Sequence, residues 1–395
     1  MVASCWPVAT EPTSCCYLVL FALQSSKPSM DTQPPVYVFD AAKPYASLNQ
    51  SSLSSSVARN FWRSARWCID GSAILSTTED RALRVHQLSE TTPGQLTTAS
   101  FPQPDSIVSS LWFPTATLAS PETFCFAAAI RDSPLKLIDG ITGVHRASYP
   151  IMDHRERFVA PHSLAFNTST TKIYCGFQSA IEIFDVANPG HGTSARLKTS
   201  ASKASKDGQR GIISALSFNP DGSGLFAAGS YDGSVALYQE DGREAVGWLD
   251  GVEGGGVTQL GWHPLNSAVA FVSSRRSRAL QVFDLRYPTK PLIRLDRDGQ
   301  TNQRIWFDVD PWGRWVASGD QNGYVRVWDI VDPVCPVVWE QKLYNRSRQY
   351  LGRVFDSDSD ISSSDSESGT DDAPTVAKGA EMDPSLSIHS FIPSP

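Results

Sequence analysis

Residues Asn302 to Ile330 read NQRIWFDVDPWGRWVASGDQNGYVRVWDI, and that stretch decides the fold. Apolar residues alternate up to Val309, a tight turn follows at Asp310-Pro311-Trp312-Gly313, and a second run leads to Gln321-Asn322-Gly323. A third run closes on Trp328-Asp329. Alternation with a period of two puts side chains on opposite faces of a strand. Tight hairpin turns need the positive φ that Gly, Asn and Asp accept cheaply. The stretch predicts three antiparallel strands joined by two turns.

Five softer copies precede it. They align on the residue two before the turn-proline position, namely Trp67, Trp112, Phe166, Phe218 and Trp262, with Val309 in the sixth copy. Their spacing of 44 to 54 residues is close to the ~40–45 of a WD repeat with insertions. The closing dipeptide recurs as His86-Gln87, Ile138-Asp139, Phe184-Asp185, Tyr238-Gln239 and Phe283-Asp284. Six copies in register predict an all-β fold, a WD-repeat β-propeller with six recognisable blades and a possible incomplete seventh. In blade four the strands are expected at 212–219, 224–230, 234–239 and 245–249, with rim strands also at 291–295 and 337–343. Residues 36–39 could supply a closing strand, and nothing after Tyr344 supplies three more. Trp328 is expected to pack between sheets, with Asp329 ending its strand.

Composition divides the chain into a poorly ordered extension over 1–33, the propeller over 34–344, and an acidic, disordered Ser/Asp-rich tail over 345–395. Net charge is −7, but residues 356–395 hold nine acids and one base, so the rest of the chain is close to neutral at +1. High charge with few apolar groups does not offset the entropy of ordering. The tail's alternating Ser and acid resembles a substrate for acid-directed kinases, or it serves only as a solubilising segment. The apolar run 15–23 is too short to span a membrane and no base precedes it as in a secretory signal. The apolar residues 386–392 have no evident partner. Seven cysteines without a C-x-x-C pair fit a reducing compartment, and Cys68 and Cys175 read as small buried hydrophobes.

Catalysis finds no support. The seven His form no metal-ligand spacing, no G-x-S-x-G elbow occurs, and Gly254-Gly255-Gly256 is not followed by the Lys-Ser/Thr of a phosphate loop. No cofactor, metal or catalytic residue is expected. The chain reads as a binding module and not an enzyme.

Strand order puts the loops entering each blade and the turns between second and third strands on one mouth of the ring. That mouth collects Arg59, Arg63, Arg81, Arg131, Arg155, Arg157, Arg196, Lys198, Lys203, Lys206, Arg210, Arg275, Arg276, Arg278, Arg297 and Arg304. Acids there are fewer, and the other mouth holds Asp70, Asp221, Glu240, Asp241 and Asp310. Blade five is the telling case. Ser274-Arg275-Arg276-Ser277-Arg278 stands where blade four has Ser230-Tyr231-Asp232-Gly233. Arginines in such a ring attract phosphates, and exposed aromatics such as Trp62 and Tyr231 would stack on unpaired bases. The RNA-binding candidates are Arg59, Arg63, Arg155, Arg157, Lys198, Lys203, Lys206, Arg210, Arg275, Arg276, Arg278 and Arg304. Arg304 would either reach RNA or pair with Asp308 or Asp320.

At Asn60-Phe61, Asp70-Gly71-Ser72, Ala160 to Phe166, Ile173 to Phe177, Gln209 to Ser214 and Thr301 to Asp308, the chain resembles the telomerase Cajal body protein family of WD-repeat proteins, in a fungal-type relative. The resemblance runs in order over 59–330. It implies a nuclear factor, of Cajal body or nucleoplasm with the cytoplasm as a secondary alternative, that binds Cajal-body-type small RNAs. In animals these include telomerase RNA; fungal relatives point to spliceosomal particles. The implied partners are such RNAs and ribonucleoprotein proteins, with no membrane, the chain being monomeric within a larger complex. Two departures stand out. The Gly-His usual before an inner strand is absent before blade five, and the family's final blade is not recognisable after 344. The alternative is a general protein–protein scaffold of the G-protein β type.

Overall fold

The computed structural model describes residues 60–342 apart from 61, 90, 91, 93, 94, 191, 193 and 201–207. It also describes the backbone of the strands Cys5–Pro7, Cys16–Phe21, Tyr37–Val38, Ala46–Asn49 and Ser385–Pro393. Between 62 and 342 the chain forms six four-stranded sheets, each strand paired antiparallel with the next. Their first strands are Trp62–Trp67, Ile107–Trp112, Ser163–Phe166, Ile213–Phe218, Val257–His263 and Phe307–Val309. Blade four continues with Leu225–Ser230, Val235–Gln239 and Ala245–Leu249, within a residue of its expected bounds.

Burial follows position in the blade. Second strands such as Ala73–Thr78 and Cys125–Ile130 are buried along their whole length, because neighbouring blades cover both faces. The rim strand Leu96–Pro102 alternates between exposed and half-buried residues, because water meets one side. The core therefore lies between blades. Leu75, Leu83 and Val85 of blade one meet Trp112, Phe124 and Phe126 of blade two.

Polar bonds also cross from blade to blade. The indole N–H of Trp112 donates to the Arg66 carbonyl (2.9 Å), and that of Trp262 donates to the Ser217 carbonyl (3.0 Å), each reaching the preceding blade. Serine hydroxyls reach forward: Ser109 to Pro161 O, Ser163 to Ile213 O and Ser214 to Val257 O, at 2.8, 2.7 and 2.5 Å. Trp67, the counterpart of Trp112, has a buried indole nitrogen without a hydrogen-bond partner among the described residues.

Trp67 belongs to the strand beside which the chain ends meet. Cys16–Phe21 pairs with Cys5–Pro7 on one side and, in parallel, with Ser385–Pro393 on the other. Ser385–Pro393 in turn pairs antiparallel with Ala46–Asn49 and Tyr37–Val38. This sheet lies against Trp62–Trp67. Two segments that composition placed outside the propeller thus carry strands, and the apolar runs near each end supply one another's backbone partners. The acidic stretch 343–384 lies outside the described residues. No helix among the described residues is long and apolar enough to cross a membrane.

Candidate nucleic-acid interface

The turns between second and third strands are bonded to the loops that enter the blades, so both sets share one mouth. Ser179 N donates to Gly211 O (3.0 Å), Tyr231 N to Ile212 O (2.9 Å), Arg276 N to Thr301 O (2.9 Å) and Gln321 N to Asp298 O (2.8 Å). Each of these six turns carries one residue in the left-handed region. They are Arg81, Asp132, Ser179, Gly233, Arg276 and Gly323, at φ of 62°, 54°, 52°, 91°, 54° and 88°. The turn geometry is shared, but only two blades fill it with Gly. A side chain in that region costs roughly 1–2 kcal/mol, so Arg276 sits where local structure prefers another residue.

Tyr231 is the centre of the mouth's charge. The Arg275 guanidinium lies over its ring at 4.2 Å, Arg304 lies 6.0 Å from the ring centre, and the His162 ring is 6.5 Å away. Arg304 also donates from Nη2 to the Tyr231 hydroxyl at 2.6 Å. Arg276 is exposed and donates from Nε to the Asn302 side-chain oxygen at 2.7 Å. Blades three, five and six therefore each place a polar group around one aromatic ring of blade four. Cation–π contacts of this kind contribute about 0.5–1 kcal/mol at exposed sites. They leave guanidinium N–H groups able to donate to phosphate oxygens.

The remaining candidates divide by partner. Arg155, Lys198, Arg210 and Arg278 are exposed and have no side-chain hydrogen bond or ion pair among the described residues. Arg63 pairs loosely with Glu79 at 3.5 Å, and the largely exposed Arg157 pairs with Asp153 at 3.0 Å. Exposed pairs of this kind contribute ~0–1 kcal/mol and release their cation readily. Arg59, Lys203 and Lys206 lie outside the described residues.

Two assignments to the open mouth are corrected. Trp62 is fully buried and cannot stack on a base. Arg297 is 4% exposed, donating to Ser318 Oγ at 2.5 Å and Ser273 Oγ at 2.6 Å. Burial pushes its pKa down to about 10 even with Asp320 nearby, so it cross-links blades five and six from inside. For Arg304, the bonded partner is Tyr231 of blade four, a residue 73 positions away, and not Asp308 or Asp320, the acids that were one of its two alternatives in the sequence. His162 was not anticipated at this site, nor was the stack of Arg66 on Trp306 at 4.8 Å. The first contact joins blades three and four and the second blades one and six, between residues far apart in sequence, so no local pattern announces them. Among the described residues no cluster of His, Cys, Asp or Glu could hold a metal ion.

Comparison with known proteins agrees with this architecture. The WD domain, G-beta repeat family matches residues 201–239 and 298–329. Telomerase Cajal body protein 1 of Homo sapiens is 34% identical over 292 residues, covering 71% of this chain and 51% of its own length. The protein of the same name in Mus musculus is 33% identical over 303 residues, covering 74% of this chain and 56% of its own. Guanine nucleotide-binding protein negative regulator 1 of Schizosaccharomyces pombe is 32% identical over 292 residues, covering 70% of this chain and 72% of its own. The chain spans about half the length of the Cajal body relatives it matches. With the six repeats, the shared order of motifs and these identities together, the chain belongs to the family of WD-repeat proteins that includes the telomerase Cajal body proteins.

Proposed function

We propose that the chain is a non-enzymatic scaffold that binds small nuclear RNA of the Cajal-body type on its basic mouth, for assembly or localisation of ribonucleoproteins in the nucleus. The observation that carries this reading is the blade-five turn. At the left-handed position that blades two, three, four and six give to Asp, Ser or Gly it has Arg276, as blade one has Arg81, and here the residue follows Arg275 and lies two before Arg278. Its arginines surround the aromatic ring of Tyr231. Phosphates supply most of the affinity of such a surface, and that part weakens with salt. A general protein scaffold of the G-protein β type is also compatible with the G-beta repeat match and the fungal relative, and the arginine-ringed Tyr231 favours the RNA reading over it.

Replacing Arg275, Arg276 and Arg278 together with Ser is expected to weaken binding of a Cajal-body-type small RNA by at least ~10-fold and to flatten its salt dependence. Filter binding across a salt series measures both. Unchanged affinity and slope in a folded variant would remove the site from this mouth. Arg276→Gly separates function from fold, since relief of the left-handed strain roughly offsets glycine's entropy. The melting curve is expected to hold or rise while RNA affinity falls severalfold. Arg304→Ala is expected to reduce RNA association severalfold at a stability cost of about 1–2 kcal/mol, from the lost bond to Tyr231. Tyr231→Phe loses that bond but keeps the ring and the cation. If it binds RNA as poorly as Arg304→Ala, Arg304 acts by positioning and not by contact.

A further inference from the structure

Away from the central mouth, a groove of about 390 Å³ runs along the rim between blades five and six. Its walls are the outermost strand of blade five, Ile293–Asp296, and the connector and outermost strand of blade six, Val337–Lys342. Three aliphatic side chains stand open there: Val334 is 84% exposed, Leu292 60% and Val337 46%. Trp328 forms part of the floor. Contiguous exposed aliphatics of this kind mark interaction surfaces more often than solvated ones.

The charges around the groove are mostly satisfied from within. Arg294 pairs with Glu253, and Arg326 pairs with Asp320 and Glu340. Asp296 is the exception, its exposed carboxylate having no ion pair or hydrogen bond among the described residues. The uncompensated charge is negative, which repels phosphate and argues against RNA as the occupant. The backbone adds a second determinant. Among the described residues Ile293–Asp296 pairs with Ala279–Asp284 on one side only, which leaves its outward N–H and C=O groups for another strand.

We propose that this groove docks an extended segment of a partner protein. The segment adds a strand to the free edge of Ile293–Asp296, seats aliphatic side chains on Leu292, Val334 and Val337, and sets a lysine or arginine against Asp296. Main-chain bonds supply affinity in this mode of recognition, and alternate side chains supply specificity. A docked protein here leaves the basic mouth clear, so one propeller holds two different ligands at once.

Selection of displayed random peptides of about twelve residues against the full chain tests the proposal. Selected peptides are then synthesised and measured by fluorescence polarisation. The expected consensus alternates aliphatic residues around one basic residue. Its affinity is expected to fall ~10-fold or more for the Leu292→Ser/Val334→Ser variant and for Asp296→Lys, with unchanged melting curves because all three side chains are exposed. Asp296→Lys is further expected to select acidic residues at the basic position. An empty selection, or a consensus whose binding is indifferent to these variants, would overturn the proposal. Acidic peptides lost on Arg275→Ser would place peptide binding at the basic mouth instead.

Discussion

Trp328→Ala is expected to lower the unfolding free energy by about 3–5 kcal/mol, as truncation of a large core aromatic does. Trp328 is 2% exposed. It packs with Phe271, Leu280, Val282 and Leu295 of blade five and with Phe307, Val309 and Val316 of its own blade. Its backbone pairs with Val316 on one side and Val337 on the other, so the strand persists while the space between two blades empties. Neighbouring sheets held by other contacts cannot collapse into that space, which puts the loss above the transfer free energy alone. Asp329, next in sequence, anchors the strand end by accepting from Arg314 Nη2 at 2.8 Å and from Val331 N at 3.1 Å. Chemical denaturation of the variant checks the figure. A loss below about 1 kcal/mol would mean that Trp328 is not the wedge between blades five and six.

Stability is also expected to fall on acidification from about pH 6.5, through His86. This residue occupies the position of the repeat tryptophan in blade one and is fully buried. Nε2 shares a hydrogen bond with Ser76 Oγ and Nδ1 shares one with Thr98 Oγ1, both at 2.8 Å. Burial, and then the nearby Arg84, push its pKa down to about 3. The unfolded chain binds this proton near pH 6.5 and the folded chain resists it. The contribution is therefore complete above about pH 6.5 and is lost as pH falls toward 3, at no more than about 1.4 kcal/mol per pH unit.

Asp310 opposes this over part of the range. Burial pushes its carboxyl up to about 6, against hydrogen bonds from the Trp315 and Trp312 N–H groups. Its folded form takes up the proton first, so its contribution is full below about pH 4 and lost as pH rises through 6. The difference between wild type and His86→Gln cancels Asp310 and isolates the histidine. Urea midpoints between pH 7 and 4.5 should show a shallower acid loss in the variant. Equal slopes would show that His86 does not carry the acid sensitivity.

The six blades were legible because their determinants are local. Alternation such as that leading to Val309, and turns such as Asp310 to Gly313, act over a few residues, and the strands follow them closely. The side on which each arginine-bearing loop falls was legible for the same reason, since strand order assigns every loop to a mouth. Neither rule tells which of those arginines is exposed. Arg297 and Arg304 lie in the same loop between blades five and six, yet one is inside and the other donates to Tyr231.

By itself, then, the sequence determined the strand pattern, the repeat number and which loops share a mouth. Period, turn chemistry and charge are properties of neighbouring residues, so a linear reading captures them. The tertiary structure alone decided the grouping of Tyr231, Arg275, Arg304 and His162, the burial of Trp62 and Arg297, and the parallel pairing of Cys16–Phe21 with Ser385–Pro393. Each depends on which blades become neighbours when the ring forms. Burial and partner choice are set by packing between segments far apart in the chain, and they acquire values only once those segments are in contact.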